Sequence, residues 1–530
     1  MLFNSYIFIF AFLPIVLGVY IVLRRLPNLN WAIGWLALAS LFYYAWWKPI
    51  FLVMLLSSIV VNFGFGTLLL RGGLSTGWKR VVLTLGLTFN LCLLGYFKYA
   101  GFFVSNVNSV FGAGWPVPEI LLPIGISFIT FQKIAFLVDS YRGQVHGFTP
   151  LNYVLFVTFF PQLIAGPIVH HSEIMPQLAT SSRRDLYDDL SLGLSIFIVG
   201  LFKKVVVADS LAIYADAGYR TVAAGEALDS PSAWITVLAY SFQLYYDFSG
   251  YSDMAVGLGR MFGIKLPINF FSPYKAYSIA NFWRRWHITL SRFLRDYLYI
   301  PLGGNRRGLA RQYLHLATVM LLGGLWHGAN WTFAVWGGLH GAMLAINHAW
   351  SATQLSRHWV FHTAPAYVIS VAITFIAVTL AWVPFRAPSF TDARKMLGYL
   401  FGDPLSADFW FSWAHSISAQ FATVWKPAKI GAWFKAPELW PSVLPADYLA
   451  RSALPAGLLL LGAAIATFAL PNAYQFFARF DPALWSDESH RPDRGVFASL
   501  NARVAIVLSA MFVLSVLGLS HVSPFLYFQF

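Results

Sequence analysis

Charge is what this chain lacks most. Only 11% of its 530 residues are Asp, Glu, Lys or Arg, against roughly 25% in a soluble domain. That deficit excludes an ordinary water-soluble globule. Cysteine is nearly absent, and Cys92 alone permits neither an intrachain disulfide nor a cysteine-based metal site. Acidic residues are scarce too, 22 against 36 Lys and Arg, for a net charge of +14. Such a balance raises nucleic acid as a partner. In a polytopic protein, however, Lys and Arg collect in cytoplasmic loops, and on that simpler account no nucleic acid is expected. The alternating pattern of a membrane β-barrel is missing. So are a phosphate-cradling Gly-rich loop between strand and helix and a nucleophile elbow. There is no internal repeat and no low-complexity tract.

What the chain has is apolar sequence. Hydrophobic residues make up 58% and aromatics 18%, the latter suited to belts of Trp and Tyr at two interfaces. Runs long enough to cross a ~30 Å hydrocarbon core as helices recur at 5–23, 31–47, 50–70, 81–97, 120–138, 191–212, 233–258, 313–346 (one helix or two), 366–384, 453–472 and 501–519. The fold class expected is an all-α polytopic membrane protein, one integral-membrane domain over residues 1–530. No positive region precedes the first run, which therefore reads as an uncleaved span. Arg24 and Arg25, then Arg71, Lys79 and Arg80, then Arg142 mark cytoplasmic loops and put the N-terminus outside. Residues 151–169 are apolar but hold Pro161, Gly166 and Pro167. They read as a re-entrant hairpin, tolerated at depth only when buried in protein or lining a cavity. Residues 403–452, rich in Trp and Pro, read as a surface loop with short interfacial helices.

The most basic stretch contains Trp283-Arg284-Arg285-Trp286-His287-Ile288-Thr289-Leu290-Ser291-Arg292-Phe293-Leu294-Arg295-Asp296-Tyr297. As one helix it would align Trp283, Trp286, Leu290, Phe293, Leu294 and Tyr297 on a stripe, with Arg284, Arg285, Arg292 and Arg295 opposite. That is the pattern of an interfacial anchor. Guanidinium groups also bind phosphate, so the same four arginines are candidates for an anionic cosubstrate such as coenzyme A. His287 lies at the edge of the apolar stripe.

His327 is the sharpest candidate. It sits in Gly323-Gly324-Leu325-Trp326-His327-Gly328-Ala329-Asn330-Trp331, inside an apolar run. It follows Arg311 by 327 − 311 = 16 residues, on the order of 24 Å along a straight helix. An ionisable side chain at that depth is a functional-site candidate by default. A desolvated imidazole stays neutral and can act as a general base. The competing reading is a histidine bonded to a neighbouring helix for packing alone. Gly324 with Gly328, and Gly337 with Gly341, are small-residue pairs that let helices approach closely. On a continuous helix Asn330 would share the face of His327. His340 and His348 are weaker candidates. Asp247, Ser249, Ser252 and Asp253 form a polar cluster, either a hydrogen-bond network or part of a site. Lys203, Lys204 and Asp209 suggest an internal ion pair. His170, His171 and Glu173 could be ligands, but adjacent histidines on a helix point ~100° apart, and no metal site is expected.

Trp283–His287 with Leu290-Ser291, Tyr299-Ile300-Pro301-Leu302-Gly303-Gly304, and Leu325-Trp326-His327-Gly328 together resemble the membrane-bound O-acyltransferase family. The run Tyr246–Gly257, Gly200-Leu201-Phe202-Lys203-Lys204, and Gly166–Val169 ahead of Glu173 resemble its bacterial alginate O-acetyltransferase branch. These motifs concentrate in residues 120–350. Asn281 and the loop 403–452 depart from the family pattern. The resemblance implies a helical shell around a funnel or tunnel, a catalytic histidine at His327 and a second important one at His287. It implies acetyl-coenzyme A as cytosolic donor and no permanently bound cofactor. A secreted acetyltransferase partner within a polysaccharide-secretion complex, and the bacterial inner membrane, are implied as well. Residues 523–530 resemble an aromatic C-terminal motif of this branch, in which Tyr527 would carry the acyl group; an interfacial aromatic anchor is the alternative. Asn330, Asp247 and Ser249 are the supporting polar candidates. The expected function is O-acetylation of an extracytoplasmic polysaccharide, alginate or a similar exopolysaccharide. The alternatives are O-acylation of cellulose or peptidoglycan, D-alanylation of teichoic acid, an anion transporter, and an inactive scaffold.

Overall fold

The computed structural model describes residues 1–146, 149–178, 185–306, 308–358, 360, 363–402, 453–485, 496, 501–519 and 525–526. The loop 403–452 and Tyr527 lie outside them. Among the described residues the chain is helical, with one isolated bridge between Pro267 and Leu484 in place of strands. This follows from the solvent: in lipid each backbone N–H and C=O must find its partner within the protein, which a helix provides along its own length.

The first helices are α1 (Leu13–Leu23), α2 (Asn30–Ala45), α3 (Ile50–Leu70), α4 (Thr76–Leu94), α5 (Ala100–Phe111) and α6 (Ile126–Tyr141). The re-entrant stretch is real and broken as expected. It comprises α7 (Pro150–Thr158), α8 (Phe160–Leu163), an irregular passage and α9 (His171–Leu178). Phe156, Phe159, Leu163, Ala165 and Val169 are all buried in protein, the setting in which such backbone is tolerated. Then come α10 (Leu186–Phe202), α11 (Asp209–Ala223) and the long α12 (Ser230–Met261). The later helices are α13 (Ile279–Trp283), α14 (Ile288–Leu294), α15 (Ile300–Leu302), α16 (Leu309–His327), α17 (Trp331–Ala352), α18 (Ala364–Arg386) and α19 (Phe390–Phe401), followed by Ala453–Phe468 and Ala502–Gly518. Among the described residues, four stretches are long and apolar enough to cross a membrane: Ile50–Leu70, Thr76–Phe111, Leu186–Ala223 and Ala364–Arg386.

Two differences from the sequence reading matter. Residues 283–297 are not one helix. His287 adopts a left-handed conformation (φ 42°) and separates α13 from α14. Burial still follows the apolar stripe, with Trp286, Leu290, Phe293 and Leu294 in the core. The run 313–346 is two helices, broken at 328–330, so Asn330 does not share a helix face with His327. Instead its side chain starts α17 by accepting the Thr332 N–H at 3.1 Å, the usual work of an N-cap asparagine.

The centre of the fold is the crossing of α10 and α12. Gly193 and Gly200 face Gly257 and Gly250. A methyl at Gly200 would stand 2.6 Å from the Gly250 carbonyl oxygen, and one at Gly193 the same distance from that of Gly257. The contact is backbone against backbone, which only small residues permit. Ion pairs rivet the same interface: Lys203 to Asp253 at 2.6 Å, Lys204 to Asp247 at 2.6 Å, and Arg260 to Asp189 at 3.0 Å. The ion pair expected between Lys204 and Asp209 is present at 2.7 Å. α16 and α17 pack through Gly324 and Gly337 in the same backbone-to-backbone way.

Gly200→Ala is therefore expected to cost about 1–3 kcal/mol, the penalty of an overpacked interior. The thermal midpoint of the purified protein in detergent reads it. Gly462→Ala, whose methyl meets nothing within 4 Å, is the control and should leave that midpoint unchanged.

Candidate active site

His327 is the last residue of α16 and is 4% exposed. Gly328 follows with extended backbone (φ −161°, ψ 149°) and ends the helix. Aromatic rings close round the imidazole edge-on. The ring centroids of Trp326 and Trp336 both lie 5.0 Å away, and that of Phe385 lies 5.2 Å away. Trp326 also stands 6.0 Å from His287, and Trp336 stands 4.8 Å from His340. Three imidazoles are thus gathered in one place, interleaved with two indoles. His340, a weaker candidate on sequence, is fully buried there. Its Nδ1 receives the Trp283 indole N–H at 3.2 Å.

Ending α16 here leaves its last carbonyls without intrahelical partners. They are met from another helix. Between α4 and α5 the chain makes a π-helical turn, Gly95–Tyr99. From it the Tyr99 hydroxyl donates to Leu325 O at 2.9 Å, and Lys98 Nζ donates to Trp326 O at 2.5 Å and His327 O at 3.1 Å. Lys98 also approaches Ser127 Oγ at 3.5 Å and lies over the Trp326 ring, 5.9 Å from its centroid. A cation at a helix C-terminus also complements the macrodipole, a gain of about 0.3–1 kcal/mol and more when partly buried. The sequence reading missed both residues. The signal was there: Lys98 is the only charge between Arg80 and Glu119.

His287 is fully buried, with a left-handed backbone. For a residue other than glycine this costs on the order of 1–3 kcal/mol and persists only where the surroundings over-determine it. Asn269 supplies the constraint. Its carbonyl accepts the Ile288 N–H at 3.0 Å. Its side-chain Oδ1 meets His287 Nδ1 at 3.0 Å, the Thr289 hydroxyl at 3.0 Å and the Thr289 N–H at 3.4 Å. A backbone N–H can only donate, so the amide oxygen is the atom facing these groups. His287 Nδ1 therefore carries the proton, and Nε2 is the basic nitrogen. Asn269 was not singled out from sequence, although it is a lone amide in the apolar run Leu266–Phe271.

The four arginines separate. Arg284 is exposed and Arg285 partly so. Arg292 is committed to Glu173, with bonds of 2.6 and 3.0 Å to its two oxygens. Arg295 is held by the neighbouring Asp296 at 2.7 Å. Arg284, Arg285 and the 61%-exposed Arg295 remain accessible to a phosphate. The Arg292–Glu173 pair adjoins a polar knot. There the Tyr297 hydroxyl donates to Asp139 Oδ2 at 2.8 Å and meets His170 Nδ1 at 3.1 Å. Burial, then the Arg292 charge, pushes the His170 imidazole below its ordinary range against the pull of Glu173, Asp139 and Asp296. His170, His171 and Glu173 are thus parts of a hydrogen-bond knot.

Asp247 and Ser249 are both buried on α12. Asp247 holds Lys204 and, through Oδ2, accepts the Leu526 N–H at 3.0 Å. Phe525 stacks on Tyr251 with centroids 4.7 Å apart. The residues just before Tyr527 are therefore fastened to α12. Asp247 is an anchor for this segment and for Lys204. Among the described residues, one apolar cleft of about 530 Å³ is lined by the N-terminal segment with α1 and α2, and another of about 450 Å³ by residues of α17, α18 and α19. Neither is lined by His287 or His327.

With this geometry in hand, comparison with known proteins is informative. A sequence model of the membrane-bound O-acyltransferase family matches residues 4–385. A peptidoglycan O-acetyltransferase of Helicobacter pylori is 47% identical over 429 residues, 76% of this chain and 80% of that protein. A probable alginate O-acetylase AlgI of Azotobacter vinelandii is 39% identical over an alignment of 563 positions that covers 100% of both chains. The probable AlgI of Pseudomonas aeruginosa is 42% identical over 415 residues, 76% of this chain and 75% of the relative.

The anchoring role of Asp247 has a direct consequence. Asp247→Asn leaves Lys204 buried with half its compensation, a loss of up to about 3–5 kcal/mol when no other partner remains and smaller here because Asp209 stays. Thermal melts should show the single mutant destabilised and the double mutant Asp247→Asn with Lys204→Met recovering part of the loss.

Proposed function

The chain belongs to the membrane-bound O-acyltransferase family, and from that premise we propose that it carries acetyl groups from cytosolic acetyl-coenzyme A to the outer side of the bacterial inner membrane. There they esterify an extracytoplasmic polysaccharide, alginate or a similar exopolysaccharide. The protein is an AlgI-like, multi-pass, membrane-bound O-acetyltransferase. The observation that supports the proposal is the buried cluster of His327, His287 and His340 about Trp326 and Trp336, at a helix break.

In the reaction proposed, the His327 imidazole takes the proton of the accepting hydroxyl. The freed oxygen attacks the thioester carbonyl, the C–S bond breaks, and the proton passes to the departing thiolate of coenzyme A. Such general-base assistance is typically worth ~10²–10⁴ in rate. His287, held in one tautomer by Asn269, lies with its ring 6.0 Å from Trp326 and steers the donor. Arg284 and Arg285 meet the phosphates of the donor at the cytosolic mouth. Asn330 supports the site by starting α17. The donor reaches His327 by displacing the collar of Trp326, Trp336 and Phe385. The acceptor is Tyr527 or a serine of a secreted partner, from which the acetyl group reaches the polymer.

A second polymer is favoured by a specific observation. The relative called a peptidoglycan O-acetyltransferase is 47% identical, so peptidoglycan is the runner-up acceptor. Alkali-released acetate, measured separately on purified exopolysaccharide and on peptidoglycan from cells lacking this protein, distinguishes the two.

The purified protein should release or transfer label from radiolabelled acetyl-coenzyme A, and His327→Ala should lower that rate by ~10²–10⁴ with the protein still folded in the membrane. Unchanged turnover in His327→Ala would refute the role of His327. Tyr527→Phe should abolish polymer acetylation in cells if the tyrosine carries the acetyl group. Full acetylation by that variant assigns the handover to the partner.

A further inference from the structure

We propose that Lys98 is a positioning residue for acyl transfer: by capping the carbonyl end of α16 from a neighbouring helix, it holds the break at which His327 is presented. The inference rests on the reading of His327 as the base and goes beyond it to a residue on a different part of the chain.

A helix that stops in the buried interior strands its last carbonyls away from water. The three carbonyls from Leu325 to His327 are met by one short turn, through the Tyr99 hydroxyl and the Lys98 amine. An ammonium has three N–H donors. Three oxygens surround Lys98 Nζ, those of Trp326, His327 and Ser127. The turn carrying Lys98 and Tyr99 is π-helical. It inserts an extra residue into an otherwise regular pair of helices, a feature frequent at functional sites. Removing Lys98 takes away its bonds to Trp326 O and His327 O. The peptide ahead of Gly328 is then held less firmly, and the imidazole moves with it. The His327 ring depends on this peptide for its pose against Trp326, Trp336 and Phe385. A misplacement of about 1 Å at a reacting group can cost ~10²-fold in rate.

Lysine rather than an apolar residue is thus required at 98 for turnover more than for binding of the donor, which approaches from the arginine-bearing side. The test uses the full-length protein in lipid nanodiscs, with radiolabelled acetyl-coenzyme A as donor. Lys98→Met, similar in length but without N–H donors, should lower kcat by ~10²-fold and leave KM for acetyl-coenzyme A unchanged. Lys98→Arg, which keeps donors and charge, should restore most of kcat. If Lys98→Met does not reach the membrane, Lys98→Gln carries the test, with kcat expected between those of wild type and His327→Ala. An unchanged kcat, a loss confined to KM, or a loss that Lys98→Arg does not relieve overturns the proposal. His327→Ala run alongside separates the two ideas. If it is inactive while Lys98→Met is normal, only the role of Lys98 falls; if it is fully active, the base itself is wrong.

Discussion

A polar group inside a membrane protein must be satisfied by the protein itself, and the candidate site about His327 meets that rule at a broken helix. Water is not available to cap α16 where it ends at His327, so Lys98 and Tyr99 do so from another helix. Gly328 turns the chain, and Asn330 starts α17. The break presents an imidazole among aromatic rings without leaving its backbone bare. The same rule explains His287, where the amide of Asn269 satisfies both a strained backbone and a ring nitrogen.

Three polar side chains that reach into the interior sit where the helices depart from regularity. π-helical turns at Gly95–Tyr99, Lys203–Ala208 and Arg295–Tyr299 carry Lys98, Lys204 and Tyr297. Each of these reaches a partner far along the chain or on another element: carbonyls of α16, Asp247 of α12, and Asp139 of α6. A single extra residue rotates a side chain away from its regular face, and here it turns the side chain inward. Against these anchors stands the glycine crossing of α10 and α12, close enough that the ion pairs on its flanks are short. The rigid crossing lies beside the site and fastens residues 525–526 through Asp247.

Much of this was legible in the sequence, because hydropathy and membrane thickness set the helices. Every span expected from its apolar run has a helix in the described residues, and the interrupted stretch 151–169 is broken and buried as Pro161 and Gly166 imply. His327 and His287 stood out as ionisable groups in apolar surroundings, and the structure brings them to one tryptophan. The failures share a cause. A helical wheel assumes a continuous helix, and so it put Asn330 on the face of His327 and kept residues 283–297 in one piece. Nothing in residue type announces the left-handed turn at His287, because that turn is fixed by Asn269, a contact between separate segments. Lys98 was overlooked for the same reason, since the carbonyls it caps lie more than two hundred residues away. Arg292 and Arg295 looked free because sequence shows charge and not pairing.

The most direct measurement of the central claim is a structure of this protein with a non-transferable acetyl-coenzyme A analogue, its thioester sulfur replaced by a methylene. The account predicts the acyl group seated between Trp326, Trp336 and Phe385, with His327 within ~3–3.5 Å of the position an attacking hydroxyl would take. An analogue bound with its acyl group remote from His327, and the aromatic collar still closed on that ring, would contradict it.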